Sequence, residues 1–432
     1  MAADNGINAA ENRIVGLMFG SAIGDAVGLY TEFCNQDEAK DSYPDGRFNL
    51  DSTGQNLTNY LPDTHRAKFD DGSWTDDTDM ALCILLAFLN TGSVDHVSIA
   101  TRFHSWRQNG LRALDTVAAD YGDQTNRVLS RKDYLKFDKG GPQASASAYW
   151  IERCGSGRSG GAGNGAIMRT HPVAAICANQ TLHQTFTAAA EIARLTHVDP
   201  RCVVSAVIAT AIARGLIRGE IRTMQKLDQY MQVTLRWYVD QRHAEETDHY
   251  QLNNDRRAEL SRAVTAESLA ELDLDNPVEM GYTYKTLGAA VYCLRAAMRC
   301  LSQPGLSRQA VEDTRKSLFE DLISELTMAA GDADTNAAVA GALLGAYLGY
   351  DAIPAHWKTG LRSGNFLLSK SRSLCMALRV IPGNYTFGSE EDTALSGGRP
   401  VLDKKAANMR RAEFSRWKRR RLDILEERWS SR

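Results

Sequence analysis

The sequence predicts an all-α protein, a single large orthogonal helical bundle. Three observations carry this. Apolar, alanine-rich runs with helical spacing recur along most of the 432 residues. Glycine recurs every fourth residue in two of those runs, at Gly16, Gly20, Gly24 and Gly28 and again at Gly341, Gly345 and Gly349. There are only 10 prolines, and no Pro/Gly/Ser-rich linker divides the chain before residue 385. Length alone suggests about three domains. The missing linkers favour one, over residues 1–387, with surface insertions at 35–72 and 240–275 and a linker and basic tail at 388–432.

Glycine costs a helix roughly 1 kcal/mol against alanine, so four on one face need a packing reason. Close approach of another helix backbone is the simplest. A membrane dimer of the G-x-x-x-G kind competes, but Asp25 and the shortness of the run count against it. The second stripe, with Ala338, Ala342 and Ala346, runs through a helix expected from Ala337 to Tyr350. It opens with Gly331-Asp332-Ala333-Asp334-Thr335. By itself D-x-D-T is a helix cap, with Asp334 or Thr335 in that role. A second cluster, Thr75-Asp76-Asp77-Thr78-Asp79, opens another apolar run, Met80 to Leu89. Two helix starts with paired carboxylates and hydroxyls supply only hard oxygen donors, which suit Mg²⁺, Ca²⁺ or Mn²⁺ rather than Zn²⁺.

Other segments fall into place in order. Residues 35–72 are polar and turn-rich, as in Tyr43-Pro44-Asp45-Gly46, and read as a long loop. Asp120 stands before a short helix ending at Leu129. Gly155 to Gly165 is a glycine-rich loop that can present N–H groups to phosphate; it lacks the P-loop Lys and reads otherwise as a flexible turn. Helices are expected at 187–197, 202–216, 287–301 and 310–329. His197 sits where a C-cap belongs. Residues 240–275 read as a surface excursion. Lys404 to Arg428 is strongly basic around Trp417-Lys418-Arg419-Arg420-Arg421. It reads as a solvated helical tail, with nuclear import or an acidic-surface contact as alternatives.

Composition excludes several classes. The net charge of −3 gives no broad nucleic-acid signal, the basic tail apart. Eight scattered cysteines without a C-x-x-C pair read as buried thiols in a reducing compartment. The first ten residues show no signal peptide, and no apolar run reaches the roughly 20 residues of a membrane span. The nine histidines show no zinc spacing. A cytoplasmic monomer is expected, nuclear if the tail is an import signal.

The quoted pieces together resemble the ADP-ribosylglycohydrolase family. They are GLMFGSAIGDAVGLYTEF, WTDDTDMALCILLAFL, DYGDQT, GNGAIMRTHPVA, ARLTH, GYTYKTLGAAVYCL and GDADTNAAVAGALLGAYLGYDAIPAHW, in the family's order, over about residues 12–362. The resemblance implies an all-α fold around a central dinuclear site of two Mg²⁺ or Mn²⁺ ions. It makes Thr75, Asp76, Asp77, Asp332, Asp334 and Thr335 the metal ligands. Glu32, with Asp77 and Asp120, becomes catalytic. Gly161, Ala162, Gly163 and Asn164, with His197 and Tyr282, hold ADP-ribose. Ala162 stands where some relatives carry a nucleotide-stacking aromatic, and Ala330 replaces the first Gly of the usual G-G-D. The expected activity is metal-dependent hydrolysis at the anomeric carbon of an ADP-ribosylated protein or ADP-ribose conjugate. Asp120 tilts the acceptor towards arginine over serine or another O-linked group. A phosphoester hydrolase, a silent ADP-ribose reader and a purely structural protein are the rivals.

Overall fold

The structure, a computed structural model, describes residues 8–51, 56–155, 161–243 and 252–431. Its α-helices, from the N-terminus onward, are α1 (Ala9–Gly28), α2 (Gln36–Ser42), α3 (Asp76–Thr91), α4 (His96–Asn109), α5 (Asp123–Leu129), α6 (Gly141–Gly155), α7 (His171–Ile176), α8 (Leu182–Arg194), α9 (Pro200–Ile217), α10 (Met224–His243), α11 (Asn254–Val264), α12 (Thr283–Leu301), α13 (Arg308–Met328), α14 (Ala333–Leu348), α15 (Ala355–Gly360), α16 (Gly364–Ala377) and α17 (Lys404–Ser430). Among the described residues there is no strand, only an isolated antiparallel bridge between Gly163 and Tyr282. The all-helical expectation therefore holds.

The two glycine stripes face each other. Helices α1 and α14 run antiparallel in backbone contact. A Cβ at Gly16 would overlap the carbonyl of Gly345, one at Gly20 that of Gly341, and one at Gly24 that of Ala337. From Ile14 onward α1 is buried on every side, and α14 is buried throughout apart from Tyr347, as mostly apolar faces all round require. Gly349 differs from its expected place in the stripe. Its φ of 91° ends the helix at Leu348, since only glycine enters that region without strain. Helices α9, α12 and α13 enclose the rest of α14. Among the described helices, α9 alone is apolar and long enough to cross a membrane, and its neighbours bury it.

Two segments read as surface contribute residues to the core. In the 35–72 segment Phe48, Leu50, Tyr60 and Phe69 are buried, and Arg66 reaches the carbonyls of Tyr30 and Glu32 at 3.1 and 2.6 Å. Its scattered large apolar residues follow neither helical nor strand period, so periodicity could not place them. The basic tail is a helix as expected, largely exposed, but it is anchored to the body. Helix α17 buries Leu425 and Arg421 and ties Arg421 and Arg428 to Asp71. The 388–400 stretch is also held, with Arg102 donating to the Thr393 carbonyl at 2.6 Å and Lys370 paired with Glu390 at 2.8 Å. In the 240–275 segment α11 buries only Leu260, but Leu252, Ala266, Leu272 and Leu274 on either side are buried as well, so this segment too reaches the core. Residues 244–251 lie outside the described residues. Cys34, Cys83, Cys177, Cys202, Cys293 and Cys375 are buried free thiols, and Cys300 is half-buried.

Candidate active site

The antiparallel register of α1 and α14 brings the C-terminus of α1 to the N-terminus of α14, and α3 starts at the same point. Asp25, fully buried on α1, makes the junction. Its carboxylate accepts from the Thr75 N–H at 2.8 Å, the Thr78 N–H at 3.0 Å and the Thr78 hydroxyl at 2.6 Å. It thus supplies the first turn of α3 with acceptors, and the carboxylates of Asp76 and Asp77 are left for other work. Burial pushes the Asp25 carboxyl up to about 7, against those bonds. Asp25 was visible in the sequence only as a break in an apolar run; its capping role had no local signal.

The two helix starts then interlock. The Thr75 hydroxyl lies 3.2 Å from Asp334 Oδ2, and the Thr335 hydroxyl 3.3 Å from Asp77 Oδ2. Asp77 Oδ1 is buried with no hydrogen-bond partner. Glu32, Asp332 and Asp334 place carboxylate oxygens within 4.8 Å of one another. Burial first, and neighbouring carboxylates second, hold Asp76, Asp77 and Asp334 well above the usual carboxylate range. A concentration of buried carboxyls with an orphaned oxygen and only hard donors fits a divalent cation. The cap reading for Asp334 and Thr335 does not hold. The N-cap of α14 is Asp332, and its carboxylate makes no capping bond.

Glu32 and Asp120 both reach the site, joined by a residue the sequence did not single out. His65 Nε2 is 2.6 Å from Glu32 Oε2, and its Nδ1 3.3 Å from Asp120 Oδ2. Lys68 donates to Asp120 Oδ2 at 2.9 Å. Asp120 therefore already has a cation beside it, a partner that the sequence reading did not supply. Burial raises the Glu32 carboxyl, His65 opposes that, and Asp332 and Asp120 add to it. His65 and Lys68 lie inside the segment read as a loop; the family's motifs skip it, so nothing in the sequence flagged them.

On the other side, the end of the glycine loop folds over α14's start. Asn164 Nδ2 donates to Asp332 Oδ2 at 2.8 Å and to the Thr286 hydroxyl at 3.0 Å. The loop backbone pairs with the segment before α12 through Asn164 N–H to Gly281 O and Thr283 N–H to Ala162 O, both 3.0 Å. His197 packs edge-on against Gly163 and Gly165, where a Cβ at Gly165 would crowd its ring. Its Nδ1 is 2.8 Å from the Thr196 hydroxyl. Burial first, then Arg169, keeps its pKa well below normal, so it is neutral. Gly161, Ala162, Gly163, Asn164, His197 and Tyr282 are thus brought together as expected; residues 156–160 of the loop lie outside the described residues. The imidazole of His197 faces this loop, so the expectation that it caps the preceding helix does not hold.

Ala330 and Gly331 approach Asp332 with φ of 60° and 70°. The Ala330 replacement keeps the carboxylates in place, yet holds an alanine in the left-handed region that favours glycine.

An all-helical fold around converging acidic helix starts defines a hydrolase-like polar centre, and comparison with known proteins gives it a family. The family model described as ADP-ribosylglycohydrolase matches residues 7–383. Curated relatives include "ADP-ribosylarginine hydrolase Tri1" of Serratia proteamaculans, 26% identical over 80% of this chain and 74% of that protein. "ADP-ribosyl-[dinitrogen reductase] glycohydrolase" of Rhodospirillum rubrum is 25% identical over 81% and 90%. "ADP-ribosylhydrolase ARH3" of Bos taurus is 24% identical over 80% and 88%. A solved "ADP-ribosylglycohydrolase-related protein complex" shares the fold with a TM-score of 0.54 and 23% identity, over 84% of this chain and 97% of that one. The chain belongs to the ADP-ribosylglycohydrolase family, and with that membership is a hydrolase of ADP-ribosyl bonds.

Proposed function

We propose that the protein removes ADP-ribose from arginine-linked substrates in a reaction that depends on two Mg²⁺ or Mn²⁺ ions. The observation that carries this is the interlocked pair of helix starts, with Asp77 Oδ1 buried and unpartnered beside a neutral His197 and the glycine loop. Thr75, Asp76, Asp77, Asp332, Asp334 and Thr335 would hold the cations. When bound, such ions polarise ribose hydroxyls and acidify a water. The relative named as an ADP-ribosylarginine hydrolase supports arginine as the acceptor.

The protein's own residues do the rest. Amides of Gly161 to Gly165 would take the pyrophosphate. Glu32 carries the proton at Oε2, steered by His65 Nε2 and fixed at its backbone by Arg66. Water oxygen joins the anomeric carbon, the carbon–nitrogen bond breaks, and the guanidine leaves with a proton. Glu32→Gln should lose turnover by about 10²–10⁴-fold while keeping ADP-ribose affinity. Equal loss in both would make Glu32 a binding or folding residue.

The test is a panel of arginine- and serine-ADP-ribosylated peptides and small conjugates, with Mg²⁺, Mn²⁺ or chelator, alongside equilibrium dialysis of Mn²⁺. Asp77→Asn or Asp332→Asn should lower Mn²⁺ binding and abolish turnover with helicity retained. Full turnover by Asp332→Asn in chelator refutes metal dependence. Cleavage of the serine-linked form alone refutes the arginine assignment. Release of phosphate instead of ADP-ribose favours the phosphoester reading.

A further inference from the structure

From the α3 side of the centre a cavity of about 630 Å³ leads outward. Asp76 and Asp120 stand at its inner end. Its lining includes Trp74 and Leu114 and, from α17, Phe414 and Trp417. A second cavity, of about 470 Å³, continues past α17 towards Arg107 and Arg411. The two share Val117, Ala119, Arg410 and Phe414. Together they form one trough running from the centre to the surface, with the basic helix along it.

Helix α17 is fastened at both ends and not between. At one end Arg410 donates to the carbonyls of Asn109 and Asp115, at 3.1 and 2.7 Å, and Arg411 to that of Gln108 at 2.9 Å. At the other, Arg421 and Arg428 pair with Asp71, Leu425 is buried, and Trp429 packs edge-on against Tyr43. The stretch between presents Phe414 stacked on Trp417, with centroids 5.5 Å apart, both half-buried towards the trough. Nothing in folding alone requires a tryptophan and a phenylalanine to line an open channel. Helix α17, with Phe414 and Trp417, lies beyond residue 383, where the family match ends, while its partners lie within the match.

We propose that this trough is the acceptor subsite: it binds the polypeptide segment flanking the ADP-ribosylated residue, with Phe414 and Trp417 as its apolar anchors. The inference rests on the reading given under Proposed function. With pyrophosphate on the glycine loop, at the Asp332 end, the group bonded to the anomeric carbon points towards the Asp76 and Asp120 end, where the trough begins. The trough's length suits an extended peptide better than a free amino acid. Its chemistry favours polypeptide over nucleic acid. Lys68 is paired with Asp120, Arg362 with Asp70 and Arg410 with Asp115. Arg107, Arg411 and Arg420 also line the trough, but Asp70, Asp76, Asp79, Asp115, Asp120 and Glu413 balance the six cations, so the lining has no excess of positive charge for a phosphate backbone. Half-exposed aromatic rings beside neutralised ion pairs resemble the anchors of protein interfaces.

The experiment compares three ADP-ribosylated substrates with the full-length protein: an arginine-modified protein, a small guanidine conjugate and a modified nucleic-acid end. The variants are Phe414→Ser/Trp417→Ser, and Val117→Arg, which fills the trough from its lining outside α17. For both, the ratio of kcat/KM on protein to kcat/KM on the small conjugate should fall by about tenfold or more, carried by KM, the loss typical of a truncated interface aromatic. Because the ratio is internal to each variant, a partly unfolded sample lowers both terms and leaves it unmoved. An unchanged ratio for either variant overturns the proposal, as does selective loss on the nucleic-acid end. If wild type cleaves the small conjugate and only the ratio fails to respond, the subsite is wrong and the activity stands. If wild type cleaves none of the three, the underlying reading fails and the subsite with it.

Discussion

At the start of α3, Thr75, Asp76 and Asp77 stand on a turn whose amides already have acceptors: Asp25 takes those of Thr75 and Thr78. At the start of α14, reached through two left-handed residues, the N-cap side chain of Asp332 makes no capping bond, and Asp334 Oδ1 accepts only from the neighbouring Thr335 N–H at 2.8 Å. Similar residues thus sit on differently built supports. The difference shows how carboxylates that would ordinarily cap a helix are freed for a ligand. In α3 the cap is shared: the Thr75 hydroxyl accepts from the Asp77 N–H, and Asp25 of α1 accepts from those of Thr75 and Thr78. In α14 the cap is given up, and Asn164 holds the first carboxylate instead. Both arrangements depend on α1, which carries Asp25 and seats α14 against its glycine stripe.

That dependence can be broken in graded steps. The largest effect is expected from acid, read through His171. This histidine at the start of α7 is buried with Nδ1 3.4 Å from the Ser21 hydroxyl of α1. Burial pushes its pKa down from 6.5 to about 4. The unfolded state therefore binds the proton first. The stability His171 contributes is complete above pH 6.5 and is lost as pH falls towards 4, roughly 3 kcal/mol in all. Asp25, raised by burial, titrates with the opposite sign, so the informative quantity is the difference between wild type and His171→Gln in urea titrations at pH 7 and pH 4. That difference should shrink at the lower pH.

Next comes the seam itself. Gly20→Ala would press a methyl group into the Gly341 carbonyl and force the two helix starts apart. Overpacking of this kind costs roughly 1–3 kcal/mol, read as a lower urea midpoint, and turnover should fall with it. An unchanged midpoint would mean that the backbones are not in contact.

The caps give the sharpest contrast. Asp25→Ala leaves buried N–H groups of Thr75 and Thr78 without acceptors, at roughly 1–3 kcal/mol. Asn164→Ala removes only one donor from Asp332 and should cost about 1 kcal/mol, with a rise in KM. Equal destabilisation by the two would erase the distinction between the starts. The smallest change is a gain: Ala330→Gly relieves a left-handed alanine and should stabilise by about 1 kcal/mol in denaturant titration, leaving turnover unaltered.

Much of this was legible in the residue pattern because it is local or periodic. A glycine every fourth residue can only make a bare helix face. Paired carboxylates ahead of apolar runs mark helix starts whatever surrounds them. Glu32, the glycine loop, His197 and Tyr282 lay inside motifs whose order could be compared with a family. The sequence by itself therefore determined the helical class, the two bare helix faces and the carboxylates of the centre; that the two faces meet each other came from the folded protein. Tertiary structure alone decided which partner each polar group met. The carboxylate of Asp25 finds α3's amides 50 residues away, Lys68 meets Asp120 across 52, and Arg421 meets Asp71 across 350. A hydrogen bond or ion pair between distant segments leaves no period in either of them, so the bonds of Asp25 to α3, the Lys68–Asp120 pair and the anchored basic helix emerge only when the protein is folded.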